Sequence, residues 1–295
     1  MSSLKEVRGR IKSVMSTQQI TKAMKMVAAA KLRKSQEAVI QLRPYAHKLN
    51  SIMTNVSSGA DIDLSTNPYS EVRSEDKVLI IIISSDRGLC GGFNTNVIKA
   101  TNILLNQKYK MQAQQGNVSI LTLGKRSNDY FLKSGCKVIS DYSLIFSKLN
   151  FEEATKVAER VMAGFVNKEF DKVELVYNEF KNVATQEIRV EQFLPMASSA
   201  SDTVNTAETD YLLEPSRTYI IEELVPISLR IQFYKAVLES NASEHGARMT
   251  AMDKATENAG ELLKELKLMY NRTRQAAITN EILEIVAGAN ALAGK

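Results

Sequence analysis

Residues 4–14, LKEVRGRIKSV, set Leu4, Val7, Ile11 and Val14 at spacings of three, four and three, the seam of a helix that packs lengthwise on another. From Ser3 to about Val56 only Gly9 and Pro44 disfavour helix, and Ile20, Met24, Val27, Leu32, Val39 and Leu42 read as the continuation of that seam. Pro44 is expected to kink or briefly interrupt it. At 1.5 Å per residue the element is roughly 80 Å long, more than a compact domain spans, so it needs a partner along its length. A counterpart closes the chain. No proline follows Pro226, and Ile227 to Ala293 reads as one helix of roughly 100 Å. Met249, Met252, Thr256, Ala259, Leu263, Leu266, Tyr270, Thr273 and Ala277 keep the alternation of three and four, and Ile278, Ile282, Ile285, Ala289 and Leu292 resume it one residue out of phase. The two helices can bury their seams on each other, and antiparallel pairing is the simplest topology because both join the same inserted segment. The last residues, AGANALAG at 287–294, then project as an almost uncharged tip that another protein is expected to surround.

The inserted segment has a different grammar. SSGADIDLSTNPYSEVRSED, residues 57–76, loses the helical period and gathers turn formers. KVLIIIIS at 77–84 is a continuous β-branched run, as in a strand buried on both faces of a parallel sheet. A helix from about Asn94 to Gln115, a strand at Val118 to Leu123, a helix near Arg126 to Lys133 and a strand at Lys137 to Ile139 follow. A helix at Phe151 to Val166 and strands at Lys172 to Phe180 and Glu187 to Phe193 complete the alternation. The fold class expected is α/β: a long antiparallel coiled coil of N- and C-terminal helices with an inserted Rossmann-like domain. Its parts are an N-terminal coiled-coil helix at 1–58, a linker at 59–76, the α/β domain at 77–196, a loop at 197–209 and a C-terminal coiled-coil helix at 210–295.

The chain of 295 residues has 44% hydrophobic and 24% charged residues, a composition that supports a packed core. Cys90 and Cys136 are too few for a disulfide framework and fit a reducing compartment. The longest apolar run, Val78 to Ile83, is far short of the roughly 20 residues that span a bilayer. Charge is uneven: the overall balance is +5, yet the first 34 residues carry nine Lys and Arg against Glu6 alone, a local balance of +8. Such a segment suits nucleic acid, anionic lipid or an acidic protein, or it is a solvated helix face, and charge alone does not choose. No apolar core follows these basic residues as in a signal peptide, so the start reads as mature sequence.

Chemistry-bearing motifs are sparse. SSDRGLCGGFN at 84–94 lies where phosphate-binding turns lie in doubly wound folds, but Gly88, Gly91 and Gly92 fit neither a dinucleotide nor a P-loop pattern. A tight strand-to-helix turn explains the glycines more simply. Cys90 reads as a structural thiol, since no partner histidine is in the domain. His47 and His245 have no second ligand at metal spacing. Asp86-Arg87 and Glu152-Glu153 lack a convergent nucleophile, and surface ion pairs account for them. No catalytic residue, cofactor site or metal site is expected.

RIKSVMSTQQITKAMKMVAAAKLRKSQ at 10–36, SSDRGLCGGFN at 84–94 and YNRTRQAAITNEILEIVAGANAL at 270–292 together resemble the gamma subunits of bacterial-type F-type ATP synthases, and the resemblance runs the whole chain. It implies a non-catalytic rotor shaft inside a ring of alpha and beta subunits, beside epsilon and a membrane c-ring, coupling proton translocation to ATP synthesis and hydrolysis. It implies that Lys22, Met24 and Lys25 meet acidic loops of beta, with a plain seam residue as the alternative for Met24. It implies a polar catch on the alpha-beta ring at Arg274, Gln275, Thr279 and Glu281, and a hydrophobic bearing at Ile282, Ile285, Ala289 and Leu292. Tyr211 and Glu214 resemble the foot that touches the c-ring and epsilon, with a simple turn before a helix as the equal alternative. The implied location is peripheral, on the cytoplasmic face of the bacterial inner membrane.

Two rivals remain. A basic coiled-coil protein that binds nucleic acid or a membrane surface needs stacking aromatics or a wide apolar face, and the first 44 residues have no aromatic, so no nucleic-acid partner is expected. A Rossmann-like enzyme with helical extensions needs stoichiometric, tight binding of ATP or NAD by the isolated chain.

Overall fold

The computed structural model describes residues 4–57, 67–183, 185–196 and 217–294. Helix α1 (Leu4–Ser57) and helix α6 (Arg217–Ala293) are the terminal elements. Between them lie β1 (Val78–Ile83), α2 (Phe93–Ile103), a π-helical turn at Leu104–Lys108, α3 (Lys110–Gln114), β2 (Val118–Leu123) and α4 (Lys125–Lys133). Then come β3 (Lys137–Ile139), a 3₁₀ turn at Ile145–Lys148, α5 (Phe151–Val166), β4 (Lys172–Phe180) and β5 (Gln186–Leu194). The chain forms two compact units: residues 1–27 with 249–295, and residues 28–248.

In the larger unit the sheet order is β3-β2-β1-β4-β5. All six residues of β1 are buried because both faces are covered. Leu79, Ile81 and Ile83 face a core built with Val157, Val161 and Phe165 of α5 and Leu229, Phe233 and Val237 of α6. Val78, Ile80 and Ile82 face Val97 of α2, Tyr109 and Phe131 of α4. The first four strands are parallel, but β5 runs antiparallel to β4, so the sheet is mixed rather than wholly parallel. Residues 181–185 are too short a connection for a parallel crossover, which takes a dozen residues or more. Helix α5 starts where its sequence says it should: Asn150 Oδ1 accepts the Glu153 amide at 2.8 Å, and Glu152 and Glu153 occupy the first turn.

Three local expectations need correction. The helix expected over 94–115 is broken by the π turn, in which the Tyr109 amide donates to the Leu104 carbonyl five residues back at 2.9 Å. That turn carries Tyr109 into the core, where its hydroxyl donates to Glu174 Oε1 at 2.6 Å. Helix α1 passes through Pro44 without interruption, with Val39 and Leu49 buried on either side. Helix α6 likewise starts before Pro226, which is flanked by the fully packed Val225 and Leu229. A proline costs a helix about 3 kcal/mol, a loss that burial of neighbours at about 1.5–3 kcal/mol each offsets.

The terminal helices pair antiparallel in both units. In the smaller, Gln18 and Thr21 meet Thr256, and Lys25 meets Asp253. In the larger, Ser35 meets Asn241. On α6 the seam positions Met252, Ala259, Leu263 and Leu266 are buried, and Met249, Thr256, Tyr270 and Thr273 are half-buried, as the spacing implies, but Ala277, expected in the same seam, is exposed. On α1 the seam departs from expectation. Ile20 and Val27 are 59% and 58% exposed, whereas Thr21 and Ala28 are buried and Gln18 and Lys25 half-buried. The strict alternation from Val14 leads to 18, 21, 25 and 28, and it holds although three of those side chains are polar.

Candidate functional site

The polar stretch of the coiled coil is built from α1 and α6 side chains in the smaller unit. Thr256 Oγ1 lies 2.8 Å from Thr21 Oγ1 and 2.7 Å from the Met252 carbonyl oxygen. Gln18 Nε2 donates to the Thr256 carbonyl at 3.4 Å, and Lys25 Nζ donates to Asp253 Oδ1 at 2.5 Å. Both ends of the Lys25–Asp253 pair are well exposed, so it contributes at most about 1 kcal/mol. Of the three residues expected to face acidic loops, Lys22 is exposed, Met24 half-buried beside the seam, and Lys25 a seam residue paired within the chain.

The end of α6 is different. Burial stops at Thr273, and every residue from Arg274 to Leu292 is exposed although the helix continues to Ala293. Arg274, Gln275, Thr279 and Glu281 therefore stand in solvent, with Thr279 Oγ1 donating to the Gln275 carbonyl at 3.0 Å. Ile278, Ile282, Ile285 and Leu292 are 48–81% exposed, and Ala289 is exposed with them. The uncovered part is longer than the tip at 287–294 and carries a stripe of large apolar side chains, the mark of a protein-binding surface.

A third feature lies at the carboxyl ends of β1 and β4, where the strand order reverses and open α/β sheets bind their ligands. Here α6 itself occupies the crevice. Cys90, Phe93 and Ala247 form one buried cluster, and Gly246 abuts Phe180 and Val183 beyond β4. Arg248 Nη2 donates to the Arg87 and Gly88 carbonyls at 2.9 and 3.3 Å, while its Nη1 bonds the Glu244 carboxylate. Burial pushes the Glu244 carboxyl and the Cys90 thiol up. Burial, with the Arg248 and Lys31 charges, pulls His245 down to about 4. Asp86 Oδ1 accepts the Lys125 amide at 3.3 Å, and Glu153 pairs with Lys156 at 2.7 Å, so both acidic candidates have structural partners. The side chain of His47, Tyr211, Glu214 and the loop expected at 197–209 lie outside the described residues.

Thr256 is in the seam that the spacing gives; Gln18, Thr21 and Asp253 carry no hydrophobic signal, and for Gln18 and Thr21 only the spacing points to the seam. Glu244 and Arg248 were missed; their signal is the polar run ESNASEHGAR at 239–248 inside a helix that is otherwise expected to pack.

The family model described as ATP synthase matches residues 3–292, nearly the whole of this two-helix-and-sheet chain. The ATP synthase gamma chain of Cytophaga hutchinsonii is 54% identical over 294 residues, covering 99% of each chain. The chain belongs to the ATP synthase gamma chain family. The gamma chain of Chloroherpeton thalassium is 50% identical over 302 residues, again covering 99% of each chain. Among solved structures, a chain of the Euglena gracilis mitochondrial ATP synthase, in its assembly of OSCP, F1 and c-ring, shares the fold at a TM-score of 0.66. That match has 22% identity and covers 98% of this chain and 94% of the other. A chain of the rotor of the same organism's enzyme matches at 0.62 with 22% identity, over 93% of this chain and 98% of the other. Among the described residues no helix is long and apolar enough to cross a membrane.

Proposed function

We propose that this chain is the central rotor shaft of an F-type ATP synthase and carries turning force between a proton-driven c-ring and the catalytic alpha-beta ring. The observation that carries the reading is the end of α6: helical, exposed on every side from Arg274 to Leu292, and striped with Ile278, Ile282, Ile285 and Leu292. Such a surface in water calls for an enclosing partner. Ile282, Ile285, Ala289 and Leu292 supply a bearing that slides, because apolar contact has no preferred direction. Arg274, Gln275, Thr279 and Glu281 supply a catch that holds at defined angles, because hydrogen bonds do have one. Lys22 and the basic start of α1 draw acidic beta loops without fixing a single pose, and Met24 lies beside them. Two unlike helices show unlike faces to the catalytic sites, so each site is biased to a different state.

The chain performs no bond chemistry on this reading. The family resemblance assigns Tyr211 and Glu214 to epsilon and the c-ring, and on this reading the chain is held peripherally at the cytoplasmic face of a bacterial inner membrane through the complex. Replacing Arg274 and Gln275 by Ala in the assembled enzyme tests it. ATP-driven proton uptake per ATP should fall at least twofold while the thermal midpoint of the free chain stays put, since both side chains are exposed in it. Unchanged assembly, hydrolysis and pumping in both variants would remove the catch assignment.

A further inference from the structure

The glycine-rich loop at 84–94 is specified well beyond what a strand-to-helix turn needs. Ser85 Oγ donates to the Arg87 carbonyl at 2.6 Å, and Asn94 Oδ1 accepts the Ser85 amide at 2.9 Å. Asn94 Nδ2 donates to Cys90 Sγ at 3.2 Å, and Cys90 is buried with Phe93 against Ala247 of α6. Leu89 and Gly91 are both in the left-handed region, at φ 62° and 58°. A left-handed leucine is strained and persists only when its surroundings over-determine it. The Arg87 carbonyl, besides accepting from Ser85 Oγ, is held together with the Gly88 carbonyl by Arg248, a single guanidinium bonded to both on one side and to the buried Glu244 carboxylate on the other. Glu244 and the Arg248 side chain are both nearly buried, at 9% and 12% side-chain exposure. A planar fork bridging a carboxylate and two backbone carbonyls resists rotation in a way that apolar contact does not.

We infer that Arg248, oriented by Glu244, is a positioning residue that locks the 84–94 loop to α6, so that sheet and helix turn as one body under load. The inference rests on the rotor reading. Apolar packing of Ala247 on Cys90 and Phe93 keeps the surfaces together but permits sliding; the guanidinium adds a directional stop across the same contact. The crevice that open sheets of this order offer to ligands is thereby spent on a mechanical joint.

The test uses the complete complex in sealed vesicles, with Arg248→Met and Arg248→Lys. Methionine keeps the apolar stem and removes every bond to the loop. ATP hydrolysis should stay within twofold of the unsubstituted complex, and proton uptake per ATP should fall at least threefold as the opposing gradient builds. Lysine, which keeps the charge and reaches one carbonyl, should fall between the two. Hydrogen exchange at the loop amides should quicken about tenfold in Arg248→Met with β2 unchanged. Wild-type proton uptake per ATP in Arg248→Met at every gradient overturns the inference. Should that variant fail to assemble, Arg248→Lys decides it: an intermediate ratio supports the joint, and a wild-type ratio overturns it. A complex assembled without this chain separates the two claims, because coupled pumping by it would remove the rotor reading itself.

Discussion

Gly124 joins β2 to α4 at φ 106°, and a Cβ there would lie 2.2 Å from the Ser84 carbonyl oxygen, an approach only glycine permits. Gly124→Ala should destabilise the chain by about 3 kcal/mol, since neither backbone nor dihedral can yield cheaply. An unchanged thermal midpoint would contradict this. His245 is 9% exposed and held near pKa 4, against 6.5 when free, by burial and by the charges of Arg248 and Lys31. The folded state therefore refuses a proton that the unfolded state accepts below pH 6.5, so stability falls between pH 6.5 and about 4, by on the order of 3 kcal/mol. His245→Gln should flatten that part of the pH profile of the thermal midpoint; parallel profiles would refute the assignment. At this scale the sequence was only partly legible. The glycine loop stood out by composition, and Cys90 in it is buried with its thiol pushed up. Arg248 did not stand out, because its partners are 160 and 161 residues away and are backbone atoms that any residue would supply.

Helix α6 changes character along its length, and two substitutions read the change. Leu263, at 8% exposure, lies in the seam, so Leu263→Ala should cost the free chain about 2–4 kcal/mol. Ile282, at 55%, touches nothing comparable, so Ile282→Ala should shift the free chain by less than about 0.5 kcal/mol while weakening capture by an alpha-beta ring. Equal effects of the two on the midpoint of the free chain would deny that the seam ends near Thr273. Elements were more legible than residues. The limits of β2, β3, β4 and α5 follow from pattern and caps alone, because each is bounded by turn formers and carries one unmixed period. On α1 spacing rather than hydrophobicity sets the seam, which therefore bypasses Ile20 and Val27: Gln18, Thr21 and Lys25 keep the heptad and meet polar partners on α6. The reversal of β5 was in the chain length of its connection. The π turn was not legible, since the buried partner that draws Tyr109 inward, Glu174, is on a strand 65 residues away.

For the molecule as a whole, membership of the ATP synthase gamma chain family and the filling of the sheet's ligand crevice by α6 point the same way: the chain's work is mechanical, and its contacts are with other proteins. On the proposed rotor reading, the basic start of α1, with its local balance of +8, is there to attract acidic neighbours at long range, and the apolar end of α6 is there to be enclosed. The most direct measurement fixes the alpha-beta ring of the assembled complex to a surface and attaches a visible marker through Met111→Cys, a position 72% exposed in the sheet-bearing unit. On adding ATP the marker should turn in one direction, in steps that divide the circle by the number of catalytic sites. A marker that stays still, or only jitters, while ATP is hydrolysed at the full rate would contradict the account.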